Sequence, residues 1–373
     1  MKLPLLSEFL KAEEDKLIRA VRKNGLVSFK YTELTVFKRI WNAVTLNSRG
    51  ITFEESTGKI VNRPFPKFFN YSELCNSDGT LNANGKALLA FPEFIPNLSG
   101  KFRSSDKLDG SCGIAYKYNG NYYVNTCGSF ESTQAVWATQ FLNNSHIIKE
   151  NMLDGYTYLF EIIWEEDHHP IKYNGINDLF LIGVIENETG KEVDMLSLIA
   201  EDLNCELAEI YNFTSFNELL NYASNLPNTK EGVVVTFENG YKCKIKGEEF
   251  LTLQKLYHKL TIDFFWEHMD QLTGKIPDDF LSLVPEEFEE TAKEYVHKLE
   301  TDYSNILQYI VNKGNYLISL NLNDKDRYFK LIEIESDKKN ISLILAYCND
   351  IKKELLNTPH ACNLIWKYIK PNI

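Results

Sequence analysis

Lys107-Leu108-Asp109-Gly110-Ser111 sets a primary amine, a carboxylate and a glycine turn directly before a strand-like stretch, Cys112 to Tyr118. A lysine so placed can attack the α-phosphorus of a nucleoside triphosphate and become a covalent lysyl-nucleotide. Attack needs the neutral amine, whereas a free lysine titrates at about 10.4. Burial and neighbouring cations are therefore expected to depress the pKa of Lys107. Four residues make a short pattern, and a surface turn ahead of a strand is the plain alternative. The elements downstream decide between them.

Strand alternation over Tyr241 to Lys246 puts Lys242, Lys244 and Lys246 on one face and Tyr241, Cys243 and Ile245 on the other. Three ammonium groups in a row repel one another unless an anion lies between them; the alternative is an edge strand guarded by lysines. Glu231-Gly232 stands just upstream, a carboxylate at the entry to the partner strand, with a glycine that admits close backbone approach. Glu161 lies inside the apolar run Tyr158-Leu159-Phe160-Glu161-Ile162-Ile163-Trp164. An ionised carboxylate there is costly unless partnered. It reads either as a wet-face glutamate or as an acceptor for a ribose hydroxyl or a hydrated metal ion.

The 373 residues are 44% hydrophobic and 25% charged, an ordinary globular composition of a length that suggests two domains. No apolar run approaches the roughly 18 residues of a membrane span, and the start, Met1 to Glu8, turns acidic too soon for a secretory signal. Seven cysteines lack Cys-x-x-Cys spacing, which argues against a disulfide framework or zinc site and for reduced thiols in a cytoplasm. A net charge of −12 argues against diffuse capture of a polyanion, so any nucleic acid must meet a local basic patch.

Helical spacing over Leu6 to Val21 predicts a first helix, closed at Asn24-Gly25. Strands follow at Leu26 to Tyr31, Ile40 to Leu46, Gly50 to Phe53 and Gly58 to Val61. Cys112 to Thr126 reads as a hairpin whose Asn119-Gly120 suits a type I′ turn, and Val233 to Lys246 as a second, turned at Asn239-Gly240. Helices are expected at Glu131 to Ile147, Glu192 to Leu203 and Phe216 to Ser224, with buried strands at Tyr156 to Trp164 and Leu179 to Ile185. Beyond about residue 249 helical periodicity takes over, at Phe250 to Met269, Pro285 to Leu307 and Ile341 to Leu356. The expectation is an α+β domain over 1–248 and a mainly helical domain over 249–373.

Lys107-x-Asp-Gly, Glu161, Glu231-Gly232 and Lys244-x-Lys246 occur in the order of motifs I, III, IV and V of the covalent nucleotidyltransferases, the ATP-dependent ligases and capping enzymes. The flanks narrow the resemblance. Arg49 to Glu54, Arg63-Pro64-Phe65-Pro66-Lys67-Phe68-Phe69-Asn70, Ile185 to Gly190 and Phe237 to Lys246 are similar to the phage T4-type RNA ligase 1 family, over roughly residues 40 to 250. That resemblance implies an adenylyltransferase domain of antiparallel sheets flanked by helices, with ATP held between the sheets. It implies that Lys107 takes AMP, that Asp109 and Glu231 orient it and organise hydrated Mg2+ (or Mn2+), and that Glu161 binds the ribose. Lys244 and Lys246 would grip the α-phosphate region, Arg49 and Lys67 the β- and γ-phosphates, with Phe69 supporting the pocket and Gly110 beside the nucleotide. The family carries a basic residue where this chain has Cys127, before Gly128-Ser129, which puts one phosphate or RNA contact in doubt.

The implied function is ATP-dependent joining of RNA 5′-phosphate and 3′-hydroxyl ends, as in tRNA repair, by a monomer acting in a cytoplasm, phage-encoded, on ends prepared by a separate healing enzyme. The alternatives are a DNA ligase or capping enzyme, whose usual Arg-x-Asp-Lys type motif is missing after Lys246, and a catalytically silent RNA-binding protein. Four decoys are set aside. Glu165 to Pro170 reads as an acidic loop rather than a metal site, since contiguous residues cannot all face one ion. Gly79 to Lys86 has one residue too many for a phosphate loop, and Ala87 follows where Ser or Thr should stand. Glu286 to Glu290 reads as a solvated helix start, and Lys352, Lys353, Lys367 and Lys370 as solvated helix faces.

Overall fold

The computed structural model describes residues 3–76, 79–89, 100–167, 169–257, 260–277, 284, 289–355 and 358–371. The chain divides into two compact units, Met1–Leu253 and Gln254–Ile373. The first is built on three sheets. β1 (Ile18–Lys23), β2 (Leu26–Tyr31), β3 (Arg49–Glu54) and β4 (Ile60–Asn62) form one in sequence order. β7 (Ser111–Tyr118), β8 (Asn121–Thr126), β9 (Tyr156–Ile163) and β10 (Asp178–Glu186) form another, ordered β10-β9-β7-β8. The third runs β11-β6-β12-β13-β5, from β5 (Phe69–Asn70), β6 (Phe102–Lys107), β11 (Ile210–Tyr211), β12 (Gly232–Phe237) and β13 (Lys242–Lys246). Every described pairing of named strands is antiparallel except β13 with β5.

Helices close one face of each sheet. Leu6–Glu14 covers the first through Phe9, against Phe29 and Phe53. Thr133–Asn144 and Leu196–Leu203 bury Ala138, Leu142 and Leu203 against Phe160 and Leu181 of the second. Phe216–Ser224 buries Phe216 and Leu219 against Val233, Val235 and Cys243 of the third. Tyr241, Cys243 and Ile245 all join this last core, so the predicted alternation along β13 holds.

Several local expectations are corrected. The first helix ends at Glu14, and Ile18–Lys23 is a strand that turns at Asn24-Gly25, both at positive φ, into β2. Apolar residues spaced for one long helix served a short helix and a strand in succession, an ambiguity that periodicity over few turns cannot resolve. Ile40 to Leu46 is no strand: Ala43–Asn47 is a helical turn whose N-cap Asn42 accepts from Val44 and Thr45 N–H. Asn119-Gly120 makes the I′ turn, with φ of 51° and 76°. The second hairpin has a three-residue loop instead, Gly240 N–H donating to Phe237 O with only Gly240 in the left-handed region. The polar strand β6 escaped prediction because Phe102-Arg-Ser-Ser-Asp-Lys107 has no apolar alternation.

The expected long helix from Phe250 is interrupted: Glu248–Tyr257, which begins in the first unit, is separate from Ile262–His268, the first helix wholly within the second unit. Helices Glu289–Ser319, Asp324–Ile334, Lys338–Lys352 and Pro359–Tyr368 complete it. Trp266 and Trp366 stack at 4.0 Å, each indole N–H donating to the other's backbone carbonyl, at 2.8 and 3.1 Å. Of the acidic run Glu286 to Glu290, residues 286–288 lie outside the described residues. No described helix is long and apolar enough to cross a membrane.

Candidate active site between two sheets

β6 runs between β11 and β12, and its last residue, Lys107, pairs with Gly232. A Cβ on Gly232 would stand 2.1 Å from Ile245 O, so only glycine lets β12 lie this close to β13. Past Lys107 the chain leaves the third sheet and enters β7 of the second at Ser111. Gly110 makes the crossing tight: a Cβ there would meet Ile162 O at 2.4 Å, and its N–H reaches Glu161 Oε1 at 3.2 Å. Lys107 and Glu161 thereby line one cleft of about 410 Å³, shared with Arg49 of β3, Cys112, Cys127 and Lys244. Phe69 lies in the core below, 4% exposed, and holds the Lys67 ammonium 4.7 Å from its ring centre.

The three lysines of β13 share a face but not an environment. Lys242 Nζ is bound by Glu192 at 2.9 Å and by Thr236 Oγ1 at 2.8 Å. Lys246 Nζ lies 2.9 Å from Glu231 Oε1, whose other oxygen sits 2.5 Å from Lys107 Nζ. Lys244 has no carboxylate partner among the described residues. Burial first, then the charges of Lys107, Lys67, Arg49 and Lys246, press its pKa down to about 7. Burial likewise lowers Lys67, and lifts Glu161 to about 7 against the pull of Lys107.

The depressed lysine is thus not the expected one. Burial pulls Lys107 down, but Glu231, Glu161 and Asp109 outweigh it, so its pKa lies above the ordinary value. Lys246 does not act as a free cation beside Lys107, because Glu231 sits between them.

Asp109 also departs from expectation. Its Oδ2 accepts from Ile171 N–H at 3.1 Å, Oδ1 lies 3.6 Å from His169 Nδ1, and its own N–H donates to Tyr173 Oη at 2.7 Å. His169 Nε2 is 3.0 Å from Asp167 Oδ2, which takes the Ser111 hydroxyl at 2.6 Å, while Asp167 Oδ1 takes Gln134 Nε2 at 2.8 Å. Burial opposes charge on His169, yet the two aspartates raise it to about 10. What the sequence offered as an acidic loop is a latch over the Lys107 turn, with His168 outside the described residues. The missed signal was aspartate and histidine two residues apart just after the Glu161 strand.

Cys112 and Cys127 face each other one step beyond the Gly113–Thr126 pair of β7 and β8. The Cys112 thiol hydrogen bond lowers Cys127 to about 6 against burial, helped by Arg49 and Lys30, and Cys112 is raised. The position expected to be basic therefore carries a partial anion beside Arg49.

Among the described residues no group of three or more His, Cys, Asp or Glu side chains could hold a metal ion. Glu231 is engaged by two ammonium groups and Asp109 by the latch, so both carboxylates expected to organise hydrated Mg2+ already have protein partners.

A sequence profile of the family described as RNA ligase matches residues 47–250. A protein of Autographa californica nuclear polyhedrosis virus, named as a candidate bifunctional polynucleotide kinase/RNA ligase, is 28% identical over 262 residues, covering 65% of this chain and 35% of that protein. A candidate RNA ligase of Thermovibrio ammonificans is 28% identical over 195 residues, 51% of this chain and 47% of that protein. An RNA ligase of Rhodothermus phage RM378 is 24% identical over 369 residues, 78% of each chain. This chain thus spans about a third of the first relative and about half of the second.

Proposed function

This chain belongs to the RNA ligase family, and we propose that it joins RNA 5′-phosphate and 3′-hydroxyl ends with ATP, through a lysyl-AMP and an RNA-adenylate. The observation that carries the reading is the pairing, in one cleft, of an amine at Lys107 with Lys244, which has no carboxylate partner among the described residues. A buried cation without a carboxylate is unfavourable in an empty cleft and favourable once a phosphate lies on it.

In the first step Lys107 Nζ forms a P–N bond to the α-phosphorus while the bond to the β-phosphate oxygen breaks and pyrophosphate departs. The ammonium must first shed its proton, and Glu231 Oε2 is the acceptor at hand. Lys244, Lys67 and Arg49 offset the charge that gathers on the phosphates, which is the main demand of phosphoryl transfer. Glu161 accepts from a ribose hydroxyl, and the Asp109–His169–Asp167 latch fixes the turn. A divalent cation, Mg2+ in our reading, would accompany ATP as part of the substrate and would supply charge neutralisation at the phosphates.

The chain contains no Gly-x-x-x-x-Gly-Lys-Ser/Thr run, and Gly79 to Lys86 ends in the helical turn Ala83–Ala87, with Gly85 packed on Leu74. We propose that a separate activity prepares the ends and that the protein acts as a monomer in a cytoplasm. Intact-mass analysis after ATP and Mg2+ tests the reading. Wild type gains one adenylyl group and Lys107→Ala gains none; an unmodified wild type would leave the silent RNA binder standing. Parallel trials with 5′-phosphorylated single-stranded RNA, nicked DNA and RNA with a 5′-triphosphate end separate the ligases from a capping enzyme.

A further inference from the structure

Beside the nucleotide cleft lies a second cavity of about 720 Å³, of whose lining the chemistry above uses only Lys67. The two share a wall that includes Phe65, Phe68, Arg103, Glu192, Thr236 and Lys242. Three stretches converge on it: Arg63 to Phe68, Thr189 to Glu192 and the β12–β13 turn, Thr236 to Lys242. All three overlap segments singled out in the sequence, yet apart from Lys67 none carries a role in nucleotidyl transfer.

The cavity is basic on an acidic chain. Six cationic side chains line it against three carboxylates, Glu192, Asp194 and Glu238. Arg103 engages Glu192 and Asp194, and Lys242 also binds Glu192, so those charges cancel within the wall. Lys101 and Lys191 are exposed and carry no ion pair among the described residues.

In-line geometry says what should come here. Pyrophosphate leaves on the side of phosphorus opposite Lys107. In the next step an oxygen of the RNA 5′-phosphate bonds to the same phosphorus as its P–N bond to Lys107 breaks, and the amine departs taking up a proton. The RNA phosphate must therefore enter where pyrophosphate left, on the side of Arg49, Lys67 and Lys244. Lys67 is coupled electrostatically to Arg49 and Lys244 and also lines the second cavity. Along β6, Lys107 to Arg103 is four residues, or about 13 Å, leading from the reacting end to the basic end.

Resting on the proposed ligase reading, we infer that this cavity seats the first nucleotides of the 5′-phosphorylated RNA strand, with Lys101 and Lys191 on its phosphates. The test is a Lys101→Glu/Lys191→Glu double variant of the full chain. Binding is followed by anisotropy of labelled 5′-phosphorylated single-stranded RNA across salt, and lysyl-AMP and RNA-adenylate formation by mass and gel. Lysyl-AMP should form at the wild-type rate. RNA should bind about ten-fold more weakly or worse at low salt, with the slope of log K against log salt shallower by about 1.4, two contacts at about 0.7 each. RNA-adenylate formation should fall in step. Unchanged RNA affinity and salt slope would overturn the inference, as would slower lysyl-AMP formation with intact RNA binding, which would give the cavity to the triphosphate. Should wild type form no lysyl-AMP, the ligase reading falls while the binding arm still decides whether RNA occupies the cavity.

Discussion

Glu231 holds Lys107 through one carboxylate oxygen, at 2.5 Å, and Lys246 through the other, at 2.9 Å. The proposed nucleophile is thus held as a half-buried ammonium, and the carboxylate that holds it is the nearest base. On that reading, repose and reactivity are set by the same contact.

Glu231→Gln removes that contact and leaves Lys107 facing Lys244 and Lys246. The Lys107 pKa should then drop below its wild-type value, which lies above that of an ordinary lysine. Competitive labelling with an amine-directed reagent across pH, read by peptide mass, should show the midpoint moving down. The variant should also lose stability, since breaking a buried pair costs about 3–5 kcal/mol. An unmoved midpoint would reject the storage role.

ATP binding should take up a proton through Lys244. Its pKa near 7 leaves the amine mostly neutral at pH 8, and a phosphate beside it favours the charged form, so protons flow to the protein. Calorimetry at pH 8 in buffers of different ionisation enthalpy should report uptake approaching one proton. Lys244→Arg, charged throughout, should bind ATP without it. Equal uptake by both proteins would assign the proton elsewhere.

The His169 latch makes a pH-dependent contribution to stability. His169 titrates near 10 in the folded protein, above its unfolded value near 6.5. Its contribution is therefore complete below about pH 6.5 and is lost as pH rises through 10. Urea unfolding of wild type and His169→Asn should differ most at pH 6 and converge by pH 10. The variant's adenylylation should suffer in kcat rather than in KM for ATP, because the latch holds the turn and not the nucleotide. Parallel unfolding curves at every pH would remove the charged latch.

Cys127 should be the first of the seven thiols to alkylate near neutral pH, with a midpoint near 6 instead of the usual 8.5 or so. ATP should slow the reaction, since Cys127 lines the same cleft as Lys107. Time-resolved iodoacetamide mapping gives the order directly. Modification of Cys112 first, or no protection by ATP, would contradict the geometry.

Much of the site was legible because its chemistry demands residue types that are expensive anywhere else. Glu161 in an apolar strand, Glu231 before a glycine and lysines alternating with Tyr241, Cys243 and Ile245 each read as a cost needing a reason. The hairpin of β7 and β8 was equally plain, since Asn119-Gly120 has the φ freedom a I′ turn requires. The first strand was not, because Leu17, Ile18 and Val21 fit a helix as well as a strand until tertiary burial chooses. β6 was invisible for the opposite reason: it is held by β11 and β12 on either side, and neither neighbour is near it in sequence.

The order of motifs, the candidate amine and the alternation of β13 were thus written in the chain itself, because each depends on residue type and short spacing. Which carboxylate meets which lysine was decided only by the fold. Glu231 lies 124 residues from Lys107 and His169 faces Asp109 across a loop, and such encounters are set by sheet register and packing. Electrostatics follows distance in space, so the depressed pKa passed from Lys107 to Lys244 once those distances were known.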